Sequence, residues 1–396
     1  MLNPARIVAI GMVGAGNLGD DLISVCLCDH LLGRWPNADL TVILSGKQQP
    51  FHYSRSDIHF FSLPRPTNLL RYANEMRQLK ELIGAADLIL VGGGGLIQDV
   101  HSAFNVPAWL RFASLARPGA QVWGVGLGAG PLLRRFSRFY LRRALPAFDT
   151  LQVRDNYSAD LLREFGGQPE VSVDIVAGSC VERQGFKRTQ VDSALGCCLR
   201  AWPGLNPEAF ARAIESHVLR NSMSVRLFTF EFAVPGNTGD RDLHSSIAKT
   251  LRTNGILVEE YCYGETPIET FCSAFCSVQQ AIAMRFHANI LWQKLGIPVC
   301  PVTYSSKVTA LYEEGGKPDA VRTLDSMGVN ALSFESLKLA VPYRLPDLVA
   351  GRGSRSKGLA NLASMTAAGL LFWRIVAGTC RHLLRAGTSR RLLGRS

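Results

Sequence analysis

The chain has no C-x-x-C pair, and its 10 cysteines are scattered, several of them (Cys26, Cys28, Cys262, Cys300) inside apolar runs. That spacing excludes the common zinc and dithiol motifs and predicts buried, reduced thiols. No charged start followed by an apolar core opens the sequence, since residues 6–10 already read as a strand, and secretion is not expected. Residue-level repeats are lacking, so any division into similar halves rests on pattern alone. Acid is missing from the end of the chain. Residues 351–396 hold nine Lys and Arg and no Asp or Glu, which accounts for nine of the 11 net positive charges. The rest is nearly neutral, so the basic balance reads as that of a tail and not of an enzyme surface.

What is present suits two ordinary domains: 396 residues with 47% hydrophobic content. Apolar runs followed by glycine turns and amphipathic segments recur, the pattern of parallel sheets with crossover helices. The first half predicts strands near 7–13, 40–45, 88–91, 121–126, 151–153 and 171–173, with helices over 20–32, 69–83, 106–117 and 158–165. Residues 181–191 are polar and read as a linker. The second half predicts strands at 194–198, 225–229, 257–259, 280–283 and 299–302, with helices over 207–219, 241–253, 266–273 and 288–295. The expected fold class is α/β: two Rossmann-like, doubly wound domains facing a cleft (residues 1–180 and 192–345), followed by a basic C-terminal helical tail (346–396).

The richest stretch is AIAMRFHANILWQKLGIPVCPVTYSSK, residues 281–307. A buried strand there runs into a turn with Arg285 and His287 at a helix start. Backbone N–H groups at such a start favour anions, an arginine fork suits carboxylate or phosphate, and an imidazole moves protons near neutral pH. This points to an enzyme acting on a small acidic substrate. An ion pair for Arg285 and a capping or core role for His287 are the alternatives.

Gly14-Ala-Gly16-Asn-Leu-Gly19 matches G-x-G-x-x-G. However, the next strand ends Ser45-Gly46-Lys47 without the acid a nicotinamide site uses, and Asp20 and Asp21 occupy the helix start a pyrophosphate would need. Either these residues only shape and cap a βα turn, or Asn17 and Asp20 reach the cleft to hold sugar hydroxyls. Gly92 to Gly95, then Gln98 and Asp99, follow another strand and would let backbone and ligand approach closely at Gly94 and Gly95. Arg154 beside Asp155 reads equally as structural glue or as a ligand contact.

Taken together, GAGNLGDDLI (14–23), LVGGGGLIQD (90–99), WGVGLGAGP (123–131), VRDNYSADLL (153–162), Asp174, CLRAW (198–202), MRFH (284–287) and GIPVCPVTYSSKV (296–308) resemble the polysaccharide pyruvyl transferase family. The resemblance covers roughly residues 6–310. It implies a GT-B-like enzyme that moves the pyruvyl group of phosphoenolpyruvate onto two hydroxyls of a sugar, forming a cyclic ketal. By matching position Arg285 would bind phosphoenolpyruvate and His287 would be the general acid. Arg200 and Lys307 would join the donor site, on the second domain, with the acceptor on the first. The base could be Asp20, Asp21 or Asp99. Gly95 departs from a position where the family often carries serine. No metal or redox cofactor is implied. The competing readings are a nucleotide-sugar glycosyltransferase of the same architecture, and a catalytically silent scaffold of polysaccharide assembly.

The uncharged stretch 358–373 is 16 residues long, short of the ~20 that span a bilayer. With the arginines that follow it reads as a basic amphipathic helix suited to an anionic membrane surface, where a lipid-linked acceptor would sit. A helix packed across both domains is the alternative. The expected location is cytoplasmic, peripheral at the inner face of the plasma membrane. Nucleic-acid binding is not expected.

Overall fold

The computed structural model describes residues 3–46, 58–64, 69–100, 102–231, 239–304, 306–324, 332–339 and 341–348. Most of the expected basic tail therefore lies outside the described residues. The first half runs β1 (Arg6–Ile10), α1 (Leu18–Arg34), β2 (Asp39–Leu44), β3 (Ile58–Ser62), α2 (Leu69–Ala85), β4 (Leu88–Ile97), α3 (Asn105–Leu110), β5 (Gln121–Ala129), α4 (Arg135–Ala144), β6 (Thr150–Val153), α5 (Asn156–Glu164) and β7 (Glu170–Val171). The second runs β8 (Ala194–Cys198), α6 (Pro207–Asn221), β9 (Ser224–Thr229), α7 (Gly239–Thr253), β10 (Val258–Cys262), α8 (Ile268–Cys276), β11 (Gln280–Ala283), α9 (Phe286–Lys294), β12 (Val299–Thr303), α10 (Ser306–Glu314) and β13 (Arg322–Thr323).

These strands form two parallel sheets, ordered β3-β2-β1-β4-β5-β6-β7 and β10-β9-β8-β11-β12-β13. In each sheet the strand order reverses beside the first strand, at β1/β4 and at β8/β11. The fold is thus α/β with two doubly wound sheets. The interior strands are buried along their length, as all nine residues of β5 and all five of β8 are, because helices cover both faces.

Three differences from the sequence reading matter for the site. The glycines at 92–95 lie inside β4 and do not end it. Gly93 and Gly94 take positive φ (79° and 80°), and the register with β5 shifts after Gly94, so the strand bulges towards the cleft. Helices α4 and α10 and strand β3 were not anticipated. Finally, the chain returns to the first sheet after the second. Tyr343 N donates to Gly178 O, Gln152 Nε2 to Arg344 O, and Arg34 pairs with Asp347 at 3.0 Å.

The two sheets share one hydrophobic cluster. It joins α1 (Leu18, Leu22, Ile23) to Phe186, Phe271, Phe275 and Trp292, with Trp292 stacked 4.3 Å from Phe275. Polar links cross as well: Leu18 N donates to Phe230 O at 2.9 Å, and Lys294 Nζ to Ala177 O at 2.6 Å. The nine described cysteines are free thiols, seven of them buried. Among the described residues no helix is long and apolar enough to cross a membrane.

Candidate active site

Both switch points open onto the same cleft, so the loops after β1 and β4 face those after β8, β11 and β12. From the first domain comes the start of α1. Asn17 caps it, its side chain accepting from Gly19 N at 2.9 Å, and its backbone bridges to Glu231 of the second domain. The Asn17 carbonyl oxygen is therefore engaged in holding the turn. Asp21 is buried and also engaged, accepting from Gly14 N and from Tyr263 Oη across the cleft, both at 2.7 Å. Burial pushes its carboxyl up to about 6. Asp20 differs. It is partly buried, lies over the β4 bulge, and accepts no hydrogen bond among the described residues. Burial raises its carboxyl above the usual range, while His287 and Lys307 pull the other way. Asp99 does not reach the cleft. It is fully buried, with its oxygens accepting from Leu133 N and Arg134 N, and so braces the loop before α4.

In the second domain, Asn289 Nδ2 donates to Arg285 O at 2.9 Å, and Asn289 Oδ1 accepts from Tyr312 Oη. This buried network fixes the turn that delivers Arg285 and His287. Arg285 is 6% exposed. Its Nε donates to Asp240 at 2.9 Å, and its Nη2 pairs with both Asp240 and Glu231. Burial opposes its charge, but the two carboxylates hold it firmly protonated. The fork expected to grip a donor is thus occupied by acids of its own domain. Asp240 also accepts from Ala201 N at 2.9 Å. Beside it, His244 Nε2 accepts from Leu199 N, which puts the ring proton on Nδ1 facing Thr229 Oγ1. Burial lowers His244 to about 4, so it stays neutral and holds the Arg200 loop in place.

Arg200 and Lys307 face no such acids. Arg200 donates to Tyr304 Oη at 3.2 Å and lies over the Tyr304 and Trp202 rings. Among the described residues no carboxylate forms an ion pair with it or with Lys307. Lys307 as a whole is exposed, with its amine set beside Gly95 in the crevice. Burial and the nearby Arg154 lower it to about 8, with Asp20 pulling the other way. A Cβ at Gly95 would stand 2.9 Å from Lys307 Nζ, so the missing side chain there makes the room the amine occupies.

His287 sits where the two domains touch. Its side chain is 12% exposed, and Nε2 lies 3.7 Å from Asp174 Oδ2 of the first domain. That is ion-pair range but too long for a hydrogen bond, and among the described residues Nε2 has no other partner. Burial alone would raise Asp174, but His287 and Arg154, whose Nη1 lies 3.5 Å away, outweigh it and hold Asp174 at about 2. Arg154 in turn packs over the Phe286 ring at 4.5 Å. A cavity of about 170 Å³ opens beside this group, lined by Arg154, Asp174, Phe286, Lys307, Leu311 and Glu314 among others. Of the residues read from sequence, Asp20, Gly94, Gly95, Arg200, Arg285, His287 and Lys307 come together here, with Asn17 at the rim. Asp174, Glu231, Asp240 and Tyr263 were not singled out as site residues.

Residues 17–306 match the polysaccharide pyruvyl transferase family. The chain belongs to that family. As a member it is a transferase of polysaccharide pyruvylation, and a polysaccharide acceptor is implied. No curated protein sequence matches it. Among solved structures, a glycosyltransferase from Rickettsia africae shares 10% identity over 83% of this chain and 86% of that one, with TM-score 0.51. A UDP-GlcNAc 2-epimerase from Methanocaldococcus jannaschii shares 12% over 83% and 94%, TM-score 0.47. A UDP-bound ugt transferase from Siraitia grosvenorii shares 12% over 83% and 88%, also at 0.47. At such identities the likeness concerns the fold alone.

Proposed function

We propose that this pyruvyl transferase uses phosphoenolpyruvate as donor and two hydroxyls of a sugar, in a polysaccharide or its lipid-linked precursor, as acceptor, with His287 as general acid. The observation that carries the reading is His287 itself: an imidazole whose Nε2 has no hydrogen-bond partner among the described residues, backed by Asp174, in a cleft where no described carboxylate forms an ion pair with Lys307 or Arg200.

In this reading Lys307, Arg200 and the first N–H groups of α9 meet the donor's phosphate and carboxylate. Arg285 orients the turn while paired to Asp240. Its Glu231 arm, 41% exposed, is the one a donor anion can displace. His287 protonates C3 of the donor, and C2 becomes electrophilic. The first sugar hydroxyl attacks C2 and gives its proton to Asp20, the acid of the three candidates whose carboxylate is not committed. The C2–O bond to phosphate breaks, and the second hydroxyl closes the ketal. Of the two hydroxyl protons, one replaces that lost by His287 and the other leaves with phosphate. The chemistry as written needs no metal or redox cofactor.

The test is an acceptor screen with phosphoenolpyruvate, read as a pyruvyl mass gain with phosphate release. His287→Ala should abolish turnover and leave donor binding by calorimetry within about threefold, since the cations remain. Turnover at the wild-type rate in that variant would remove the acid assignment.

A further inference from the structure

The near-neutral body conceals a strong segregation of charge. Residues 100–148 contain seven arginines and no Asp or Glu. The structure gathers five of them on α4 and the turn before it: Arg134, Arg135, Arg138, Arg142 and Arg143 are all exposed. The helix buries Ser137, Tyr140, Leu141 and Ala144 against the first domain. Its outer face is therefore arginine interleaved with large apolar side chains that stay exposed among the described residues. Leu133 is 65% exposed, Phe139 49% and Phe136 40%. Arg143 lies over the Phe139 ring at 5.1 Å, holding cation and aromatic side by side.

We infer that this face docks on an anionic lipid membrane. Arginines supply the attraction to acidic headgroups, and phenylalanine and leucine protruding between them match the headgroup–acyl boundary. A soluble polyanion would use the charge but leave the protruding leucine and phenylalanines in water, so the combination favours lipid. The placement also suits the cleft. α4 begins six residues after the C-terminal end of β5, the sheet edge that carries the site, and its leading turn is pinned by Asp99. Docking there would set the first domain's rim of the cleft at the bilayer surface. The inference does not depend on which donor the enzyme uses, and it concerns a different element from the tail at 346–396.

The full-length protein is incubated with vesicles of phosphatidylcholine and phosphatidylglycerol at 3:1, and hydrogen exchange is followed by mass spectrometry. Exchange should slow over residues 132–143 with these vesicles and not with pure phosphatidylcholine. Arg135→Gln/Arg142→Gln should lower vesicle partitioning roughly thirtyfold, from about 1 kcal/mol of headgroup attraction per arginine and about tenfold per 1.4 kcal/mol. Leu133→Ser/Phe139→Ser, which alters only exposed side chains, should lower it as well, with unfolding temperature held. Unchanged exchange over 132–143 overturns the inference. So does equal protection by heparin, which would make the face a polyanion site, or protection that appears with protein concentration alone, which would make it a contact between copies of the chain.

Discussion

One methyl group at Gly19 tests the site's central contact. A Cβ there would lie 2.2 Å from His287 Nδ1 and 2.9 Å from its Cγ, whereas unstrained contacts need about 3.5 Å. The imidazole, or the domain carrying it, must retreat by roughly 1 Å. Overpacking of this kind costs about 1–3 kcal/mol, but alanine replacing glycine near a helix start returns up to about 1 kcal/mol. The variant should therefore fold, losing no more than about 3 kcal/mol. A 1 Å displacement of a catalytic group lowers rate by about 100-fold. Gly33→Ala, in the same helix with nothing within 4 Å of its Cβ, is the control and should be neutral or slightly stabilising. Phosphate release with the acceptor found by screening, alongside thermal unfolding, reads both effects. A Gly19→Ala enzyme with wild-type kcat/KM would show that His287 need not sit where it does, and the general-acid reasoning would fail.

Two further tests use pH. Because burial raises Asp21 from 3.8 to about 6, the stabilisation it gives below pH 3.8 is lost as pH rises through 6, about 3 kcal/mol in all. Asp21→Asn keeps an acceptor for Gly14 N and a donor for Tyr263 Oη, so denaturant unfolding should find it more stable by up to about 3 kcal/mol at pH 8 and equal at pH 3.5; an equal or lower stability at pH 8 counts against the burial argument. Lys307, lowered to about 8, should let phosphoenolpyruvate binding weaken as pH rises through 8, whereas Lys307→Arg stays flat to pH 10 by calorimetry. Parallel profiles for the two proteins would take Lys307 out of the donor site.

The elements legible in the sequence are those whose cause is local. Strands β8 and β11 are short continuous apolar runs between polar segments, and both were read to the residue. α4 was missed for the opposite reason. Its stretch RFSRFYLRRA is arginine-rich, and its buried stripe of Ser137, Tyr140, Leu141 and Ala144 is too small and polar to register as a periodic apolar face. β3, IHFFS, sits at the sheet edge without a glycine turn to announce it.

The site divides along the same line. Arg285 and His287 stand out because one helix start carries both, but what each touches is set by distant parts of the chain. Asp174 meets His287 only through the packing of one domain on the other, and Asp240, which claims Arg285, opens a helix of unremarkable charge. The G-x-G-x-x-G run shows how a correct pattern can carry a different physics. In a dinucleotide site its glycines clear space for a pyrophosphate. Here the third, Gly19, clears space for an imidazole arriving from the other domain, and Asp20 and Asp21 hold the helix start that a phosphate would otherwise take. The motif still marks a place where something must approach the backbone closely. What approaches is decided by the residues that fold against it.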